Sequence, residues 1–161
     1  MQKENLSTDM KVCIVIPAHN EGTFLTGCLE SICLQTLAPK RVIVVNDHSS
    51  DNTYEIAQGF AEKHPFIRAI NHRSSSLHMP GSKVVKAFNY GLEQLDQAYD
   101  VLLKLDADIL LPESYLECIC THFKDNPKLG ICGGFAYEKD REGQWLLNHP
   151  MDKTHIRGAF K

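Results

Sequence analysis

The stretch VLLKLDADILLP, residues 101–112, sets aliphatic residues around two aspartates one residue apart, Asp106 and Asp108. Taking a carboxylate out of water costs several kcal/mol unless a partner compensates. The run VLLKL has no clean polar alternation, so it reads as a strand covered on both faces, and the acids fall where that strand stops. Residues i and i+2 of an extended chain point the same way. In that geometry the two carboxylates share one side and repel each other, and a divalent cation held by oxygen ligands, Mg²⁺ or Mn²⁺, relieves the repulsion. A solvated turn with two acids also accounts for the pattern, and D-x-D alone is frequent. Its weight comes from where it lies in the chain.

Outward from this stretch, short apolar runs alternate with longer amphipathic ones. KVCIVIP (11–17), RVIVVND (41–47) and FIRAINH (66–72) read as strands by length and β-branched content, VLLKLD (101–106) as a fourth, and LGICGGFAYE (129–138) as a fifth. Between them, residues 20–36 space Phe24, Leu25, Cys28, Leu29, Ile32 and Cys33 at helical intervals, with Asn20 as N-cap and Glu21 at the positive helix end. Residues 50–64 form a second helix capped by Ser50 or Asp51, residues 83–95 a third interrupted by Gly91, and residues 112–124 a fourth with Pro112 near its first turn. This alternation predicts an α/β fold: a mostly parallel twisted sheet with helices on both faces. Ligands of such sheets bind beyond the carboxyl ends of the strands. That rule selects residues 17–21, 46–51, 71–76 and 106–108.

Composition bounds the function classes. The chain has 161 residues, 43% hydrophobic and 23% charged, with a formal net charge of -3, which fits one globular domain. Lys and Arg are scattered rather than striped, so no nucleic-acid partner is expected. The six cysteines form no C-x-x-C pair and sit mostly in apolar segments, as reduced buried thiols do. No apolar run approaches the ~20 residues that span a bilayer, and the polar start MQKENLSTDMK lacks a signal-peptide core. A cytoplasmic location follows as the expectation, with peripheral contact at the inner membrane face left open.

At the strand ends, capping explains Asn20 and Asp51, while Asp47 suits capping and ligand binding equally. In PGSKVVKAFNYG (80–91), Lys83 lies in the first turn of a helix, against the dipole, where a cation suits an anionic phosphate; an exposed lysine without a task is the plainer reading. Neither GxxxxGK[ST] nor GxGxxG occurs. The eight histidines form no metal pattern, and Trp145 reads as a packing residue.

Four ordered blocks, CIVIPAHNEGTFLTGCLESICLQT, VIVVNDHSSDNT, GSKVVKAFNYGLE and LLKLDADILLPESYL, together resemble the family-2 glycosyltransferases over roughly residues 11–135. The resemblance implies a Rossmann-like GT-A fold and an inverting, metal-dependent transferase using a nucleoside-diphosphate sugar, a UDP-sugar by family frequency. It implies that Pro17, Ala18, Asn20 and Glu21 lie at the nucleotide and that Asp47 contacts the base. Ala87 and Asn89 match a pattern near the nucleotide, and Lys83 lies slightly off the commoner register. Asp106 is implied at the ribose or the metal's water shell, and Asp108 at the metal itself. The acceptor would be a saccharide or a lipid-linked acceptor.

The resemblance also divides the chain: residues 1–10 a disordered or extended terminus, residues 11–138 the nucleotide-sugar domain, and residues 139–161 the start of an acceptor-side region that reads as truncated. The catalytic base is expected beyond residue 161, since Glu138, Asp140, Glu142 and Asp152 are candidates only by elimination. Residues 1–161 alone are then expected to bind donor and metal and to transfer sugar poorly. Two alternatives use the same sheet. A receiver-like binding module would hold a cation with strand-end aspartates but carries no NDHSSDNT block, and a nucleotidyltransferase would show a Gly- and basic-rich loop in place of PAHNEGTF.

Overall fold

The computed structural model describes residues 10–73 and 82–147. The readings made for residues 1–9, for the loop 74–81 and for the tail 148–161, Asp152 included, lie outside them. The elements run β1 (Val12–Ala18), α1 (Leu25–Cys33), β2 (Arg41–Asp47), α2 (Thr53–Lys63), β3 (Ile67–His72), α3 (Ser82–Glu93), β4 (Val101–Lys104), α4 (Tyr115–Asp125), β5 (Tyr137–Lys139) and β6 (Trp145–Leu147).

β1 to β4 form one parallel sheet in the order β3-β2-β1-β4. The unalternating aliphatic runs are buried on both faces, as expected. On one face Ile14, Ile16, Val42 and Val44 pack with Leu25, Leu29 and Ile32 of α1, Ala57 of α2 and Leu116 of α4. On the other, Cys13, Val15, Ile43 and Val45 pack against Ala87 of α3 and Leu95. A Cβ at Gly91 would sit 2.6 Å from Val15 Cγ1 and 2.7 Å from Val45 Cγ2. The residue that argued against a third helix is therefore what lets α3 lie close on the sheet.

Three local expectations fail for identifiable reasons. Asn20 does not cap α1: it takes φ +57°, and its side chain is turned to the β2–α2 loop. Helix α1 begins only at Leu25, after backbone bonds from Phe24 and Leu25 N–H to the Glu21 carbonyl. The fifth strand does not form over 129–138. Instead Tyr137–Lys139 pairs antiparallel with Trp145–Leu147 in a small separate sheet, and the preceding segment, with Gly130, Gly133 and Gly134, joins no ladder. Glycine weakens strands by its entropy and its missing side chain. Trp145 is not a packing residue but is 54% exposed.

We predict opposite signs for two glycine substitutions in urea denaturation. Gly91→Ala should cost ~1–3 kcal/mol by overpacking. Gly59→Ala, in α2 with nothing within 4 Å of the added Cβ, should gain about 0.5–1 kcal/mol. A neutral or stabilising Gly91→Ala would contradict the close helix–sheet contact.

Candidate functional site

From β1 the chain moves outward to β2 and β3, then returns to place β4 on the other side of β1. The order therefore reverses between β1 and β4, and the crevice beyond their carboxyl ends is where a parallel α/β sheet takes its ligand. Glu21 follows β1, and Asp106 and Asp108 follow β4. The topology alone brings these three acids to one crevice.

On the β1–β2 side, the two loops are sewn together by side chains. Asn20 Oδ1 accepts from Ser50 N–H at 2.8 Å and Ser50 Oγ–H at 3.2 Å, and Asn20 N–H donates to Ser49 Oγ at 3.0 Å. His19 Nδ1–H donates to the Asp47 carbonyl at 2.7 Å, which leaves Nε2 to accept from Asn20 Nδ2 at 3.4 Å. Asp51 Oδ1 accepts from Thr53 N–H at 3.1 Å, ordering the start of α2, and Oδ2 accepts from Gly22 N–H at 2.9 Å. Those bonds hold the Asp51 carboxyl below its ordinary range, the Thr53 hydroxyl contributing most. A Cβ at Gly22 would fall 2.1 Å from Asn52 Oδ1 and 2.9 Å from Asp51 Oδ2, so a larger residue there would have to displace these side chains. Asp47 is buried at the end of β2, and neighbouring Asn46 Nδ2 donates to Asn71 Oδ1 at 2.7 Å.

On the β4 side, the strand ends at Lys104, and Leu105 N–H still donates to Val15 O at 3.1 Å. The D-x-D segment itself is a turn, closed by Ile109 N–H to Asp106 O at 3.2 Å, with Ala107 buried and Asp108 exposed. The two acids therefore lie on a turn rather than on an extended strand, and Asp106 is paired with Lys104. Asp108 is left as the more accessible acid.

The acids nevertheless act on one another across the crevice. The Glu21 carboxyl is pushed above its ordinary value, first by burial and then by the charges of Asp108, Asp106 and Asp51. Cys28, whose Sγ–H lies 3.9 Å from Asp106 O, is pushed up to about 12 by burial and by the same two aspartates. Among the described residues no three His, Cys, Asp or Glu groups close into a ligand set. The donor set present fits Mg²⁺ or Mn²⁺ only in the manner of hard cations held by one or two carboxylates, with water and substrate phosphate completing the shell.

The structure thus gathers Pro17, Ala18, Asn20, Glu21, Asp47, Asp106 and Asp108 at the carboxyl edge of the sheet. Lys83, partly buried, and Asn89, exposed, both lie on α3, and no described contact joins either to the acids. Ala87 packs on the sheet. Two anchors escaped the sequence reading. Gln35, 8% exposed, donates from Nε2 to Pro112 O at 2.7 Å and accepts from Leu116 N–H at 3.0 Å through Oε1, and Ser31 Oγ accepts from Leu111 N–H at 3.1 Å. Together they tie the segment after D-x-D to α1. The available signal was a glutamine and a serine in register with a helix's apolar face.

Residues 13–161 match Glycosyl transferase family 2. The chain belongs to that family. It is 28% identical over 155 residues to the uncharacterized glycosyltransferase YibD of Escherichia coli, spanning 96% of this chain and 42% of that protein. It is 30% identical over 150 residues to a poly-beta-1,6-N-acetyl-D-glucosamine synthase of Staphylococcus epidermidis, spanning 93% of this chain and 34% of that one. The crystal structure of Staphylococcus aureus TarS 1-349 in complex with UDP superposes with a TM-score of 0.60 and 25% identity, over 73% of this chain and 33% of that one. The chain spans roughly two-fifths or less of these relatives' lengths. The fold is that of these glycosyltransferases, and no helix among the described residues is long and apolar enough to cross a membrane.

Two measurements check the electrostatics. A carboxyl whose folded-state pKa is raised takes up protons on folding, so its charge opposes folding above that pKa and the penalty fades as pH falls. Glu21→Gln should therefore raise the thermal midpoint at pH 7–8, with the gain shrinking toward the ordinary glutamate range; an unchanged or lower midpoint at pH 8 contradicts the crowding of the acids. In the folded protein at pH 8, the exposed Cys118 should react first with Ellman's reagent and Cys28 should stay unmodified. Early labelling of Cys28 contradicts its burial.

Proposed function

We propose that the protein is a divalent-metal-dependent, inverting glycosyltransferase, and that the β1–β4 crevice binds the diphosphate of a nucleoside-diphosphate sugar, a UDP-sugar first among them. The observation that carries this is the convergence of Glu21, Asp106 and Asp108 on one topological switch point, with Glu21 held above its ordinary pKa first by burial and then by the charges of the other two. Such an accumulation of negative charge suits a dication followed by a phosphate. Membership of the family and the fold shared with UDP-bound TarS support the same reading.

In this reading Asp108 is the metal ligand. Asp106, steadied by Lys104, faces the ribose or the metal's water shell. Pro17 and Ala18 close the floor of the nucleotide site, and Asp47 faces the base. Asn20 acts mainly as a brace, because its amide is already committed to Ser50. Lys83 and Asn89 approach the phosphates from α3. The bound Mg²⁺ or Mn²⁺ supplies charge neutralisation to the departing diphosphate. The acceptor is a saccharide or a lipid-linked molecule whose hydroxyl attacks the anomeric carbon from the side opposite the departing diphosphate, losing its proton to a base.

Isothermal titration tests the donor half of this proposal. UDP should bind in the presence of Mn²⁺ and at least tenfold more weakly without it, a loss of ~1.4 kcal/mol or more, with GDP and dTDP weaker than UDP. Asp108→Asn should reproduce the metal-free affinity while leaving the far-UV circular dichroism unchanged. UDP binding that ignores both Mn²⁺ and Asp108→Asn overturns the metal's role; metal binding with no nucleotide response overturns the donor site.

A further inference from the structure

β4 ends on a lysine where its own pattern calls for an aliphatic residue. Val101 and Leu103 pack into the core on the α1 and α4 side. Leu102 packs on the opposite face, against the cluster that holds Val15. Alternation along the strand puts Lys104 on the Leu102 side, and its ladder partner is Val15, which is fully buried. The Lys104 side chain is 20% exposed. Its stem lies along apolar surface, and its ammonium emerges at the crevice and pairs with the Asp106 carboxylate. An ion pair with this much access to solvent adds little stability. An aliphatic residue would continue the row without desolvating a charge. The lysine is therefore better accounted for by what its charge does at the carboxyl edge than by what it adds to the sheet.

Glu21, Asp106 and Asp108 share that edge, and Glu21 feels the charges of both aspartates. Lys104 sets one positive charge against these three acids. We propose that Lys104 is the resident counter-ion of the crevice: it holds down the acids' affinity for a free divalent cation and gives the diphosphate a fixed positive charge, so that metal and nucleotide are taken up together. The inference rests on the donor reading above. Three carboxylates without a counter-charge attract a dication strongly and repel a diphosphate by the same field. One lysine reduces both effects. In water, a unit charge within about 8 Å of a dication is worth roughly fivefold in its affinity. The lysine ammonium is a compact point charge on a flexible stem, with no bidentate geometry to break when it turns from a carboxylate to a phosphate. Hard cations held by few carboxylates complete their shell with substrate phosphate. A site weakened for the bare cation thus still favours the state in which cation and diphosphate stabilise each other.

Calorimetry with Mn²⁺ alone on the 161-residue protein reads the first effect. Calorimetry with UDP at saturating Mn²⁺ reads the second. Lys104→Met, which keeps the apolar stem, should bind Mn²⁺ alone about threefold or more tightly than the unsubstituted protein. The same variant should bind UDP at saturating Mn²⁺ about threefold or more weakly. Lys104→Arg, which keeps the charge, should stay within about twofold of the unsubstituted protein in both titrations. Lys104→Gln takes the place of Lys104→Met if that variant loses the far-UV circular dichroism of the fold. A lysine that only props the D-x-D turn gives losses in both titrations, so the opposed signs separate the two roles. Binding of Mn²⁺ alone that is unchanged, weaker or absent in Lys104→Met overturns the inference. Binding of UDP that is unchanged or tighter in that variant overturns it as well. If the unsubstituted protein binds no UDP with Mn²⁺, the donor reading falls, and the titration with Mn²⁺ alone still decides whether Lys104 opposes the cation.

Discussion

The structure depends on the dehydration of the aliphatic middles of β1 and β2. Ile14, Val15, Ile16, Val42, Ile43, Val44 and Val45 are all inaccessible to water, covered by α1, α2 and α4 on one side and α3 on the other. A sheet sealed in this way can present polar chemistry only at its edges. Because all four strands run parallel, their carboxyl ends emerge together, and the reversal of strand order between β1 and β4 opens a crevice among them. The charged residues of the site are there because the interior could not hold them.

That constraint also explains how the loops are built. Ionised and amide side chains at the edge must be held without being buried. Asn20, Ser50, Asp51 and Thr53 hold one another across the β1 and β2 ends. Gln35 and Ser31 do the same for the segment after β4. Lys104 answers Asp106, but Glu21 remains crowded by the remaining charge. The arrangement settles most of its polar groups and leaves the carboxylates as one acidic corner, where perturbed groups mark a candidate site.

The central architecture was legible in the sequence because β-branched runs and 3.6-residue periods are local signals. The strands of the main sheet lie within a residue or two of the runs quoted for them, and the helices differ chiefly at their starts. What was not legible depended on contacts distant in sequence. Asn20 looks like an N-cap in its own neighbourhood, but a left-handed backbone and a bond to Ser50, 30 residues away, give it another task. Gly91 looks like a helix breaker until the sheet beneath it is known. LGICGGFAYE has the composition of a strand but finds no place in the main sheet. The D-x-D acids were correctly located at the end of β4, but they lie on a turn rather than an extended strand, because β4 stops at Lys104. Gln35 showed only its register with the apolar face of α1, and its role stayed hidden because its partners are backbone groups 77 and 81 residues away.

The most direct test of the account is anomalous diffraction from a crystal of this protein soaked with Mn²⁺ and UDP. The account predicts a manganese peak within bonding distance of the Asp108 carboxylate, bridging it to the diphosphate in the crevice between β1 and β4. Nucleotide bound elsewhere, or a diphosphate in that crevice with no metal at Asp108, would contradict it.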